Sequence, residues 1–160
     1  MRICDIKVNE LREYKMNNRK HDAEQVQRIA KSIAEFGFNQ PLVVDGENCI
    51  VVGHGRFLAA KHAGIESVPC VVLADVSEEK IRAYRLLDNK LQNDSDWIKE
   101  NVLSELAWLG GGEEIDFAAF GLDDFYDAMR GSAAENFLDD AVQKEEKMRL
   151  HCCPNCGHEF

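Results

Sequence analysis

The stretch Cys49-Ile50-Val51-Val52-Gly53-His54-Gly55-Arg56-Phe57 decides the reading of this chain. A short apolar run of this kind reads as a buried strand. Gly53-His54-Gly55 breaks the run, and Arg56 to Ala63 predicts a short helix with Gly64 just past its end. A helix that starts directly after a strand presents unpaired first-turn N–H groups and the positive end of its dipole. Two glycines would let a ligand approach the backbone. Arg56 adds a forked donor and His54 a titratable one. Chemically this is a cradle for phosphate or carboxylate. A plain strand–helix turn with a solvated arginine is the alternative from these residues alone.

Outward from this turn, Pro41-Leu42-Val43-Val44 reads as a strand joined to Cys49–Val52 by the turn Asp45-Gly46-Glu47-Asn48. Upstream, Asp22 is an N-cap for a helix from Ala23 to Phe36, whose Val26, Ile29, Ala30, Ile33 and Phe36 follow helical spacing before Gly37. Residues 3–8 suggest a first short strand. Downstream, residues 68–73 read as a third apolar strand, and Ser77-Glu78-Glu79 opens a helix to about Leu87. A further helix is expected from Asp96, with Ile98, Val102, Leu103, Leu106 and Leu109 on its apolar face and Trp97 and Trp108 packed in the core. A last helix runs from Leu122 to Met129. The pattern is α/β (α+β): a small mixed sheet with packed helices, then a helical extension and a flexible tail. The expected divisions are 1–93, 94–130, an acidic linker at 131–150 and a cysteine-rich tail at 151–160.

The 160 residues carry 19 Lys+Arg against 29 Asp+Glu, a net charge of −10. Such a field opposes non-specific binding to DNA. The first 62 residues, however, hold ten basic and eight acidic side chains, so an anion site belongs there. No apolar run approaches the roughly 18–20 residues of a membrane span. The N-terminus has no signal-peptide core, and the six cysteines (Cys4, Cys49, Cys70, Cys152, Cys153, Cys156) do not form a disulfide framework. The expected compartment is a reducing cytoplasm, with Cys4, Cys49 and Cys70 as buried core thiols.

Three more clusters could carry chemistry. Asn17-Asn18-Arg19-Lys20-His21 sets amides and bases in one loop, either gripping phosphate oxygens or simply solvated. Asp88-Asn89 offers a carboxylate and an amide to Mg²⁺, or terminates a helix. Cys153-x-x-Cys156 with His158 has the turn of a zinc knuckle, short of a full tetrahedral set, or is a thiol tail.

Taken in order, these pieces resemble the ParB N-terminal domain of the ParB/sulfiredoxin superfamily over residues 3–93. The matching elements are Asn17 to Arg19, Ser32–Gly37 with Pro41–Val44, Ile50–Arg56, Ala59-Ala60-Lys61, Gly64-Ile65, Val68-Pro69 and Asp88-Asn89. The stretch from Asp96-Trp97 to Leu122 resembles the helical extension of phage and mobile-element proteins, some fused to DNA methyltransferases, though no methyltransferase motif is present. In partition proteins of this family a glycine–acid–double-arginine turn binds nucleotide phosphates. Gly53 and Arg56 match its ends, while His54 and Gly55 depart from it. The family's Glu-Asn metal pair appears as Asp88-Asn89. His54 stands where sulfiredoxin has its cysteine, which argues against that activity.

The resemblance implies a nucleotide (CTP, ATP or ADP) or nucleic-acid phosphate at Arg19, Gly53, His54, Gly55 and Arg56, with Mg²⁺ at Asp88 and Asn89. Zn²⁺ would sit at Cys153, Cys156 and His158. The expected setting is phage or mobile-element DNA transactions, with DNA, a DNA-modifying or phage protein, or a second copy as partner and no membrane. One alternative is a Mg²⁺-dependent nuclease or a serine-kinase-like phosphotransferase using His54 and Asp88 catalytically. Another is a non-catalytic interaction module.

Overall fold

The computed structural model describes residues 2–110 and 115–131. The chain divides between Asp96 and Trp97 into two units. In the first, the elements are β1 (Arg2–Lys7), α1 (Ala23–Phe36), β2 (Leu42–Asp45), β3 (Ile50–Val52), α2 (His54–His62), β4 (Ser67–Leu73) and α3 (Glu78–Leu91). A 3₁₀ turn, Val8–Glu10, follows β1. The four strands form one mixed sheet in the order β1-β4-β2-β3. β4 is antiparallel to β1 and parallel to β2, and β2 is antiparallel to β3.

Alternation along the strands decides which face is buried. Ile6, Val68, Cys70, Leu42, Val44 and Ile50 form the core face, completed by Phe57 and Ala60 of α2 and by Leu11. α1 packs on α2 as an outer layer. Asp22 caps α1 by accepting from the Gln25 N–H, and Gly37 ends it with φ 84°. These bounds coincide with the sequence expectation, because cap and stop are both local signals.

Between β2 and β3 the register shifts, since Val43 pairs with Val52 while Val44 pairs with Ile50. Val51 is therefore the extra residue of a bulge, a device that re-aims the end of a strand. The strand runs out at Gly53, which has φ 99° and is the N-cap of α2.

Several expectations shift. α2 starts at His54 rather than Arg56, since left-handed Gly53 makes the whole turn by itself. α3 continues to Leu91 instead of Leu87, because Asn89 donates back to the Arg85 carbonyl at 2.8 Å instead of breaking the helix. Only Cys70 of the three early cysteines is fully buried; Cys4 and Cys49 are half-buried. Cys4 belongs to an edge strand, and Cys49 precedes β3.

In the second unit, α4 (Lys99–Gly110) starts later than Asp96, its first bond running from the Val102 N–H to the Ile98 carbonyl. α4 packs against α6 (Leu122–Arg130), which follows the single turn α5 (Phe117–Phe120). Leu103 and Leu106 are buried. Trp108 is two residues, about 200°, around the helix from Leu106 and is 62% exposed. Trp97 is 68% exposed and meets Phe125 edge-on at 5.4 Å. Neither tryptophan is a core residue. The acidic linker and the cysteine-rich tail lie outside the described residues.

Among the described glycines, Gly53 has the least room for a side chain. A Cβ there would lie 2.6 Å from Leu42 Cδ2, in a φ region that L side chains rarely adopt. Gly53→Ala is therefore expected to cost about 2–4 kcal/mol, combining backbone strain with overpacking. Urea denaturation checks this, and an unchanged midpoint would contradict the geometry of the turn.

Candidate functional site

A cavity of about 230 Å³ opens where β3 hands over to α2. Its lining includes Arg19, Gly53, His54, Gly55, Arg56, Asp88 and Asn89, brought together from three separate parts of the chain. Lys20 and His21 of the same early loop also line it. Cys153, Cys156 and His158 lie outside the described residues.

The loop that carries Arg19 is tied to the sheet before it reaches the site. The Arg12 N–H donates to the Asn48 carbonyl, and the Ile50 N–H donates to the Arg12 carbonyl, both at 2.9 Å. Asn17 Nδ2 then donates to the Arg19 carbonyl at 2.8 Å and shapes the turn. The Arg19 guanidinium points to the end of α3, where Nε donates to Asn89 Oδ1 at 3.1 Å. Its Nη2 donates to the Asn89 carbonyl at 2.9 Å and to Asn93 Oδ1 at 3.1 Å.

Arg56, in the first turn of α2, donates from Nη1 to the Gln40 carbonyl at 2.6 Å and to the Pro41 carbonyl at 3.3 Å. Burial lowers its pKa while the Asp88 charge raises it. A guanidinium stays protonated regardless, so Arg56 is a fixed cation within the field of Asp88.

The two glycines serve packing as well as access. Beyond the steric limit at Gly53, a Cβ on Gly55 would press at 3.1 Å on His21 Cε1 and Nδ1 and on Ile29 Cδ1. The His21 ring thus lies over the first turn of α2, held through Nδ1 by Gln25 Oε1 at 2.9 Å. Gln25, Ile29 and Gln92 are lining residues that sequence reasoning missed. Gln25 and Ile29 could be read only as α1 positions, and Gln92 only as a residue past the expected helix end.

His54 is 9% exposed, and its buried Nε2 has no hydrogen-bond partner. Burial lowers its pKa to about 4, with smaller contributions from His21 and Arg85. The ring is neutral at pH 7. An unpaired buried nitrogen costs about 1–3 kcal/mol and calls for a partner.

Arg85 was also missed. It is 6% exposed, stacks on the Tyr14 ring at 3.7 Å and donates from Nε to the Ile50 carbonyl at 3.3 Å. Asp45 Oδ2 lies 3.8 Å from Nη2. Arg85 follows Ile81 by four residues, so helical spacing alone would have put it on the buried face of α3.

The lining holds three basic side chains, Arg19, Lys20 and Arg56, and one carboxylate, Asp88. The balance suits an anion. Among the described residues no group of three or more His, Cys, Asp or Glu gathers to hold a metal. Asp88 already accepts from Gln92 Nε2 at 3.1 Å, and Asn89 Oδ1 receives Arg19. These two residues fit a Mg²⁺ ion only when phosphates and waters complete its shell, the usual arrangement for that ion.

The profile of the ParB N-terminal domain matches residues 1–90, more than half of the chain, and the chain belongs to that family. It is 38% identical over 73 residues to the ParB-like nuclease domain-containing protein YnaK of Escherichia coli (strain K12), covering 46% of this chain and 84% of that protein. It is 37% identical over 103 residues to stage 0 sporulation protein J of Bacillus subtilis (strain 168), covering 61% of this chain. That match spans 36% of the Bacillus protein, so the shared part is about a third of the relative. The fold matches the C-terminally truncated chromosome-partitioning protein ParB from Caulobacter crescentus, crystallised with CTP-gamma-S. The TM-score is 0.64 at 18% identity, covering 89% of this chain and 98% of that one. The likeness establishes the fold, the mixed α/β arrangement expected from the sequence. No helix of the described residues is long and apolar enough to cross a membrane.

The state of His54 makes stability depend on pH. Its folded pKa is about 4 against an ordinary 6.5, so the unfolded chain binds the extra proton. The fold is unaffected above pH 6.5 and loses up to about 3 kcal/mol as pH falls from 6.5 to 4. Denaturant titrations at pH 7 and pH 4.5 check this. His54→Gln should lose less stability than the parent between them, and equal losses would contradict a buried neutral ring.

Proposed function

We propose that this chain binds the phosphates of a nucleotide at the first turn of α2. The observation that carries the reading is the convergence on one small cavity of the N-terminus of α2 and three cationic side chains, Arg19, Lys20 and Arg56. The N–H groups of the first turn and the helix dipole favour an anion there. Arg56 and Arg19 supply charge-assisted bonds. Asp88 would hold a Mg²⁺ ion that arrives with the phosphates and offsets their charge. The complex of the Caulobacter protein with CTP-gamma-S supports a nucleoside triphosphate as the ligand class. His54 and Gly55 stand where the partition proteins that this chain resembles carry an acid and an arginine. Kinship with chromosome-partitioning proteins supports a role in DNA transactions.

A second reading, phosphoryl or phosphodiester transfer, is favoured by the neutral His54 in a cavity that also holds Asp88. There His54 would accept a proton from the attacking group. Turnover lost on Asp88→Asn and with EDTA would support it, and binding without turnover would leave the nucleotide acting as a switch.

Isothermal titration with CTP, ATP and ADP, with and without Mg²⁺, tests the main reading. One nucleotide should bind, and Arg56→Ala should weaken it by about 5–150-fold, the loss of a charge-assisted hydrogen bond of roughly 1–3 kcal/mol. Unchanged affinity in a folded Arg56→Ala protein would remove the assignment.

A further inference from the structure

Cys4 and Cys70 stand directly opposite one another on the antiparallel pair β1·β4. Opposed residues on paired strands project from the same face. Both belong to the core side of the sheet: Cys70 is fully buried, and Cys4 packs against the same core while remaining half-exposed. Both are free thiols. Neither has a part in the cavity at the start of α2.

We propose that Cys4 and Cys70 are a redox pair that closes to a reversible cross-strand disulfide, taking a small-molecule disulfide such as oxidised glutathione as oxidant. The ladder itself sets the distance. The Val8 N–H donates to the Glu66 carbonyl at 2.9 Å, which makes that opposed pair a hydrogen-bonded one. Hydrogen-bonded pairs recur at every second position, so Ile6 with Val68 and Cys4 with Cys70 are of the same kind. Their Cα atoms are therefore about 5.5 Å apart, inside the range a disulfide spans. The Cβ atoms of opposed residues, at about 4.5–5.5 Å, must draw in toward roughly 3.8 Å. That movement falls on β1, a strand at the edge of the sheet and paired on one side only. A bond made this way carries strain, and strained disulfides are the easily reduced, regulatory ones.

The asymmetry of the pair orders the steps. Burial, then Cys4 and Asp5, push the Cys70 thiol up to about 11, so the half-exposed Cys4 reacts first. Its thiolate attacks one sulfur of the oxidant, forming a mixed disulfide and releasing one small thiolate. Cys70 then gives up its proton and attacks the Cys4 sulfur, expelling the second small thiol. Two protein thiols are oxidised, one small disulfide is reduced, and the two protein protons end on the two released thiols. The product cross-links β1 to β4 and encloses α1, β2, β3 and α2 in one covalent loop.

The test uses the full chain equilibrated with oxidised glutathione, then alkylated and mapped by mass spectrometry. The expected result is a Cys4–Cys70 linked peptide lacking two hydrogens. Melting temperature should rise by about 5 °C on oxidation. Dithiothreitol should reverse the rise, and Cys4→Ser should lack it. Cys4→Ala repeats the control should the serine unfold the edge strand. Cys4 and Cys70 both still alkylatable after equilibration, or Cys4 joined only to Cys49 or a C-terminal cysteine, would overturn the proposal.

Discussion

The buried guanidinium of Arg85 is the contact on which the arrangement of the first unit depends. It stacks on Tyr14, donates to the Ile50 carbonyl and lies near Asp45, so one side chain joins α3 to the early loop and to β3. A buried charge is costly unless it is paired and hydrogen-bonded, and here Tyr14 covers one face while the Ile50 carbonyl and Asp45 lie at the edge. The Arg85 backbone carbonyl receives Asn89, and Asn89 in turn receives Arg19. Tyr14, Arg85, Asn89 and Arg19 thus form one polar chain. It fixes the end of α3, with Asp88, beside the N-terminus of α2.

This dependence explains how separate local pieces come to line one cation-rich cavity. No single element carries the cavity. The bulge at Val51 re-aims β3, Gly53 turns the chain with a backbone that only glycine adopts easily, and the early loop brings in its two cationic side chains. The net charge of −10 belongs to the whole chain, while the cavity gathers three cations around one carboxylate. Local field, not total charge, decides what such a pocket attracts.

Much of the fold was legible because its signals are local. Asp22 and Gly37 mark α1, Ser77 starts α3, and Asp45-Gly46-Glu47-Asn48 joins two apolar runs. Residues 17–21, 53–56 and 88–89 could also be singled out as chemistry-bearing. Their meeting could not, because it depends on pairings across about 70 positions, such as Arg19 with Asn89. The two glycines illustrate a second limit. Residue type suggested access for a ligand, and it could not show that Leu42 packs against Gly53 and His21 over Gly55 as well. Arg85 escaped notice because a lone arginine in a helix reads as solvated until its partner Tyr14 is seen. Trp97 and Trp108 misled in the opposite direction, since large apolar residues were counted as core while their helical phase puts Trp108 outside.

The proposed site holds phosphate oxygens at the first turn of α2. The most direct measurement is a two-dimensional ¹⁵N–¹H NMR titration of the full chain with a nucleoside triphosphate and Mg²⁺. Phosphate at this turn should produce saturable shifts at the His54, Gly55 and Arg56 amides, together with the His54 ring. Those amides remaining still, while shifts gather elsewhere, for example around the separate cavity lined by Lys7, Phe57 and Lys61, would contradict it.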